Sequence, residues 1–231
     1  MVDHTSRAYE QELRALKDRL LAMGGRCEQL ITMATRALGE LDADLAKKVE
    51  QTDRAINVEE VAIDEATVRI LALRQPVGRD LRFLILALKV VTDLERIGDE
   101  SVNLAERAVE LAGQPPILPL QPQLHELAEA AAKMVHQALD SFVTEDVVLA
   151  RSVLAADDHC DALYGALLRA SMSMVEQNPT RVQDGFRFAF CAKYLERIAD
   201  HATNIAEQVV FMVSGEDVRH SGSRDPQPPK R

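Results

Sequence analysis

From Leu13 onward, apolar residues fall at Leu13, Leu16, Leu20, Met23, Cys27, Leu30, Ala34 and Ala37, in alternating steps of three and four. That spacing draws one stripe along a long helix, and Gly24-Gly25 within it marks a kink or a point of close packing. The same rhythm predicts a second helix from an N-cap near Asp42 to about Arg74, where "RQPVG" interrupts it and Pro76 and Gly78 mark a stop and restart. A third helix runs from about Asp80 to Leu111. Beyond the Pro-rich "GQPPILPLQPQ" the plan repeats, with helices from about Leu124 to Phe142, Glu145 to Val175 and, past a break at "QNPT", Arg181 to Val213. The expected fold is all-α: two tandem three-helix bundles related by internal duplication, at 5–113 and 124–214. A linker at 114–123 joins them, and a polar, disordered tail at 215–231 follows.

The duplication can be counted. "LERIGDESVNLAE" begins at Leu94 and "LERIADHATNIAE" at Leu195; over 94–111 and 195–212 nine of eighteen positions are identical. Unrelated sequences of ordinary composition would share about one. On a helix, Leu94, Ile97, Ser101, Leu104, Ala108 and Leu111 form an apolar seam, matched by Leu195, Ile198, Ala202, Ile205, Val209 and Met212. These are core positions.

A polar stripe borders the seam. Glu95, Asp99, Asn103 and Glu106 lie within about 80° of one another on the helix surface, and Glu196, Asp200, Asn204 and Glu207 repeat them. Like charges one turn apart cost roughly 0.2–0.5 kcal/mol per pair. Either a cation neutralises the stripe, or Arg96, Arg197 and other cations pair with it on a solvated face; its presence in both copies favours a cation. Oxygen ligands suit Mg²⁺, Ca²⁺ or Mn²⁺, with iron also able to bind. In the second helix of each half, Asp53 with Asn57 and Asp157 with Asp161 are placed to complete such a cluster. Glu60 and Asp64 share the spacing but read as an idle pair. His201 stands where the first copy has Glu100, so the repeat requires no histidine there; it and His159 read as surface residues.

Composition narrows the function. The 231-residue chain carries a net charge of −10 with no basic patch, which is poor equipment for nucleic acid. Its apolar fraction of 47% permits a buried core, and the absence of Trp among many small aliphatics suits close-packed helices. Cys27, Cys160 and Cys191 are far apart and outside any CxxC, so free buried thiols in a reducing cytoplasm are expected. No signal-peptide core or membrane-spanning stretch is evident, so any membrane association is expected only indirectly, through a partner. The chain lacks Glu-x-x-His, HExxH, P-loop, GxSxG and GxGxxG patterns.

Together, "LRQPVGRDLR", "DLERIGDESVNLAE" and "YLERIADHATNIAE" resemble the PhoU family of phosphate-uptake regulators, as do "NVEEVAIDEATVRI" and "VSGEDVRHSG"; the similarity covers most of 5–220. The resemblance implies two tandem three-helix bundles and, in some members, iron or zinc clusters at E/DxxxD motifs. Those motifs fall on Glu95 and Asp99, Glu196 and Asp200, Asp157 and Asp161, and Asp53 and Asn57; Asn57 departs from the acidic pattern, which implies a weaker or smaller first cluster. It further implies a non-catalytic, cytoplasmic homodimer that represses the phosphate-starvation (Pho) response and restrains uptake. Its partners would be the ATPase subunit of the phosphate ABC transporter and a phosphate-sensing histidine kinase. The alternative from another class is a metal-dependent carboxylate-bundle enzyme or a metal-storage protein.

Overall fold

The computed structural model describes residues 2–111, 121–216 and 218. Its six long helices are α1 (Val2–Glu40), α2 (Ala43–Arg74), α3 (Gly78–Leu111), α4 (Gln121–Thr144), α5 (Val147–Gln177) and α6 (Val182–Ser214), with a 3-10 turn at Pro179–Arg181. No strand occurs among the described residues. The order is the expected duplicated all-α plan.

The two halves turn their first corner with the same device. Asp42 accepts hydrogen bonds from the backbone N–H groups of Asp44 and Leu45, both at 2.9 Å; Asp146 accepts from those of Val148 and Leu149 at 2.8 and 3.0 Å. Each cap satisfies N–H groups that have no partner inside the helix, a contribution of about 1 kcal/mol. The residue before each cap, Leu41 (φ 54°) and Glu145 (φ 57°), takes the left-handed conformation that reverses the chain. At the end of α2 the left-handed residue is Gln75, whose N–H returns to the Leu71 carbonyl at 3.3 Å, and α3 restarts at Gly78 with φ 59°.

Packing sets the layers. α1 lies against α3 and α4, and α6 against α3 and α4, so these four helices form a central bundle. α2 packs only on α1 and α3, and α5 on α4, α6 and the adjoining 3-10 turn, which puts α2 and α5 on opposite flanks. The α1 stripe is buried from Leu16 to Ala37, with Leu13 partly covered. Both repeat seams are buried throughout, and the Ser101 hydroxyl in one of them donates back to the Ile97 carbonyl at 2.8 Å. The three cysteines are free and buried. Among the described residues, no helix is long and apolar enough to cross a membrane.

Boundaries differ at two places. Residues 121–123, assigned to the linker, belong to α4, because Pro122 sits in the first turn, where its missing N–H costs nothing. The start of the expected tail is packed: Gly215 (φ 73°) caps α6, Glu216 pairs with Arg151 at 2.6 Å, and Val218 is buried in the core. The rest of the tail, and linker residues 114–120, lie outside the described residues.

Gly24 is a point of close packing. α1 is continuous, and a Cβ on Gly24 would stand 1.8 Å from Leu139 Cδ1 on α4, whereas Gly25 faces open space. Gly24→Val is therefore expected to lower unfolding free energy by about 1–3 kcal/mol through overpacking. Adding Leu139→Ala should make the two effects clearly non-additive in a urea-denaturation cycle, whereas additive losses would remove this contact from the account.

Candidate functional site

The first crease runs between α2 and α3. Asp53 on α2 is 7% exposed; its Oδ2 accepts a hydrogen bond from Asn57 Nδ2 at 3.2 Å, while its Oδ1 has no partner. That oxygen lies against Gly98, where a Cβ would stand 2.5 Å away, on the turn of α3 that carries Glu95 and Asp99. Burial pushes the Asp53 carboxyl pKa up, Asp99 repels it further, and the Asn57 amide offsets part of this. Glu95 is raised by burial, then by Asp99, with Glu60 and Asp53 adding and Arg96 opposing. Arg96 reaches Glu95 Oε2 at 3.4 Å and Asp99 Oδ2 at 3.5 Å, long contacts from an exposed side chain.

Glu60 and Asp64 lie partly buried along the same groove. Glu60 is raised by burial, by Asp64 and by Asp99; Asp64 is raised by burial, and its Oδ1 is buried without a partner. Helical spacing alone could not separate them from a solvated pair, since what matters is the groove α2 makes with α3.

The second crease lies between α5 and α6. Asp157 is half-buried, with Oδ1 unpartnered; burial and then Asp161 raise it. The Asp200 side chain reaches water. Loss of hydration from the surrounding protein, followed by repulsion from Glu196 and Asp157, nonetheless pushes it up to about 6, against the pull of Lys193. The Lys193 ammonium donates to Glu196 Oε2 and lies 5.5 Å from the centre of the Tyr164 ring. Behind the crease, burial and the same aspartates push the Cys160 thiol up to about 11.

The predicted stripes do not stay together. Asn103 donates to Glu100 at 3.3 Å, and Glu106 pairs with Arg107 at 3.2 Å on the side near Tyr194. Asn204 donates to Asp93 of α3 at 3.3 Å, and Glu207 is half-buried two turns past Asp200. An arc of about 80° is wide enough to span two grooves of one helix. So Glu95, Asp99, Glu196 and Asp200 line the creases, whereas Asn103, Glu106 and Asn204 turn toward the other repeat.

That other side of α3 and α6 was not anticipated. Asp93 accepts from Asn204 and Gln208 at 3.3 and 3.2 Å and holds His201 Nδ1 at 3.0 Å; Arg197 reaches Glu100, 3% exposed, at 2.8 Å. His201 is thus an interface residue and not a surface one, whereas His159 is exposed as expected. The signal was present in the repeat: Glu100 and His201 occupy the same position, and that position faces the sister copy.

The donor chemistry of the creases, carboxylates with the Asn57 amide oxygen added in the first, is of the oxygen type that suits a hard cation. The acids of the first are spread over three turns of α2 and do not close on a point. Among the described residues no three His, Cys, Asp or Glu side chains form a group able to hold a metal ion. Binding one would require side-chain rotation within the crease.

A duplicated three-helix bundle with paired carboxylates on its flanks is a definite structural class. Its PhoU domain model matches this chain twice, at residues 20–108 and 124–209, and the chain belongs to the PhoU family. The phosphate-specific transport system accessory protein PhoU homolog of Pseudomonas aeruginosa is 40% identical over 96% of this chain and 92% of its own length. The Escherichia coli PhoU is 36% identical over 95% of this chain and 90% of its own. Among solved structures, PhoU from Pseudomonas aeruginosa superposes with a TM-score of 0.86 at 39% identity, covering 90% of this chain and all of that one. The phosphate transport system regulatory protein PhoU from Streptococcus pneumoniae gives 0.84 at 28% identity, covering 91% and 99%. These relatives are named as accessory and regulatory proteins.

The raised carboxyls make a signed prediction. A carboxyl whose folded pKa exceeds its unfolded value keeps protons in the native state that the unfolded chain has released, so stability falls as pH rises between the two. For Asp200 the window runs from 3.8 to about 6. Asp200→Asn should raise the melting temperature at pH 7, with the advantage gone below pH 4. A variant less stable than wild type at pH 7 would show that Asp200 is compensated. On the other side, Arg197→Ala should lower unfolding free energy by about 1–3 kcal/mol by leaving the buried Glu100 Oε1 without its partner, measured by denaturant titration.

Proposed function

We propose that this protein is a cytoplasmic, non-catalytic adaptor that negatively regulates phosphate uptake and the phosphate-starvation response. The observation that carries the reading is the match over nearly the whole chain to relatives named as accessory proteins of the phosphate-specific transport system. As a homodimer it would contact the ATPase subunit of the phosphate ABC transporter and a phosphate-sensing histidine kinase, meeting the membrane only through them. The creases support a mechanism in which charge sets the binding surface. They stand on the two outer flanks, and their carboxylates outnumber the cations, Arg96 and Lys193, that pair with them. A divalent or iron cation (iron, zinc, Mg²⁺, Mn²⁺ or Ca²⁺) held there would neutralise the acids and fix α2 against α3 and α5 against α6. Asp53, Glu95 and Asp99 would be the ligands in the first crease; Asp157, Asp161, Glu196 and Asp200 in the second.

The test is alkaline-phosphatase output in phosphate-rich medium, in the native host and in a strain lacking the protein. Output should rise on deletion and return to the low level with wild type supplied in trans. Unchanged output on deletion, in a host without a second copy of the family, would overturn the regulatory reading and move weight to the metal-bundle alternative.

A further inference from the structure

The two ends of the central four-helix bundle come from one duplicated unit, yet only one end is filled. Carrying the offset between the caps Asp42 and Asp146 back along α1 and α4 matches Gly24 to Ala128, Thr35 to Leu139 and Leu38 to Phe142. The offset that aligns α3 with α6 matches Phe83 to Asp184. At the filled end Leu139 packs onto Gly24, and the Phe142 and Phe83 rings stack with centroids 5.3 Å apart. Lys17 lies 4.9 Å from the centre of the Phe83 ring and pairs with Glu145 at 3.6 Å, which closes that end.

The other end lacks these pieces. Thr35 is shorter than Leu139 and turns its hydroxyl back to the Ile31 carbonyl at 2.7 Å. Ala128 adds a methyl where Gly24 has none, and Leu38 stands in place of the Phe142 ring. Asp184, in place of Phe83, is drawn to Arg181 and Arg187 at 3.0 and 3.6 Å. What remains is a groove of about 700 Å³, walled by residues 31–41 of α1 and the turn after it and by residues 122–132 of α4, with Leu111 and Phe188 completing it.

Length and chemistry define what fits there. Ten residues of helical rise make each wall about 15 Å long, and apolar anchors at i, i+4 and i+7 of a third helix would span about 10 Å of it. The hydroxyls of Thr32 and Thr35 both donate to carbonyls of their own helix, which leaves the walls to apolar contact. Charge gathers at the edge. Arg36 is matched by Glu40 at 2.9 Å, whereas Glu129 has the His125 imidazole at 3.2 Å, which is not a permanent cation. On a chain of net charge −10, this acidic edge is complementary to lysine or arginine.

We propose that this groove seats an amphipathic helix of a partner protein, with large apolar side chains at i, i+4 and i+7 between α1 and α4 and lysine or arginine beside Glu40 and Glu129. No residue of either crease lines it, so the inference goes beyond the adaptor reading and depends neither on a cation nor on the phosphate response.

The test uses the full chain and, as probe, a fluorescein-labelled alanine-based helical peptide with leucines at i, i+4 and i+7 flanked by lysines, followed by fluorescence anisotropy. Wild type should take up one peptide per chain. Serine for the leucines, or glutamate for the lysines, should weaken binding by roughly 10-fold or more, the scale of losing an interface anchor. Thr35→Leu with Leu38→Phe, which install two residues of the filled end, should do the same. Glu40→Gln with Glu129→Gln, both exposed, should weaken the lysine peptide alone, and serves should the filled variant fail to fold by circular dichroism. Absence of saturable binding, equal binding of the three peptides, or binding indifferent to both pairs of substitutions would each overturn the proposal. So would binding gained only when Ile117, Leu118 and Leu120 are changed to Ser, which makes the chain's own segment the occupant. A dimer in sedimentation that T35L with L38F dissolves would overturn it in favour of a second copy.

Discussion

α3 and α6 lie antiparallel, with Asp93 opposite Asn204, Glu100 opposite Arg197 and Glu110 opposite Arg187. Everything distinctive about the molecule hangs on that pairing. Each helix must bury one seam in its own three-helix unit, offer a polar edge to its sister, and still hold two carboxylates in a groove with its flanking helix. The pairing turns the two repeats back to back, so the grooves end up on opposite flanks. Had α2 and α5 been the helices that met, the carboxylates would have been shut inside. A buried cluster of unpaired acids could not have been maintained there.

Stability and charge pull against each other across this design. The central four helices bury continuous apolar stripes, and Gly24 lets α1 approach α4 closely enough for Leu139 to reach its backbone. The creases work in the other direction: Asp53, Glu60, Asp64, Glu95, Asp157 and Asp200 all have carboxyls pushed up, with loss of hydration as the leading cause in each. Residues that weaken a fold while leaving its core untouched are the ones expected to serve function. The central bundle supplies the margin that lets the creases keep their charge.

Much of this was legible in the sequence. The six helices, the α1 stripe, both seams and the Asp42 cap follow from period and turn chemistry, because those signals are local. The pairs Glu95–Asp99 and Glu196–Asp200 also stand where their spacing put them, with Asp53 and Asp157 facing them from the neighbouring helix. What the helical wheel could not resolve was which of two adjacent grooves a residue enters. Asn103, Glu106 and Asn204 share the arc of the crease acids but turn the other way. Glu60 and Asp64 looked like any solvated pair until α2 was set against α3. His201 and Asp93 are 108 residues apart, and nothing local to either one announces the other.

The central claim is that the outward carboxylates are kept for binding at the expense of stability. It is tested most directly by replacing Glu95, Asp99, Glu196 and Asp200 together with Gln, Asn, Gln and Asn, changes that keep shape and remove charge. Melting temperature at pH 7 and repression of alkaline phosphatase in phosphate-rich medium should be measured on the same variant. The account predicts a protein at least as stable as wild type that no longer represses. A variant that represses normally would contradict it, showing that the charge of the creases has no part in the function.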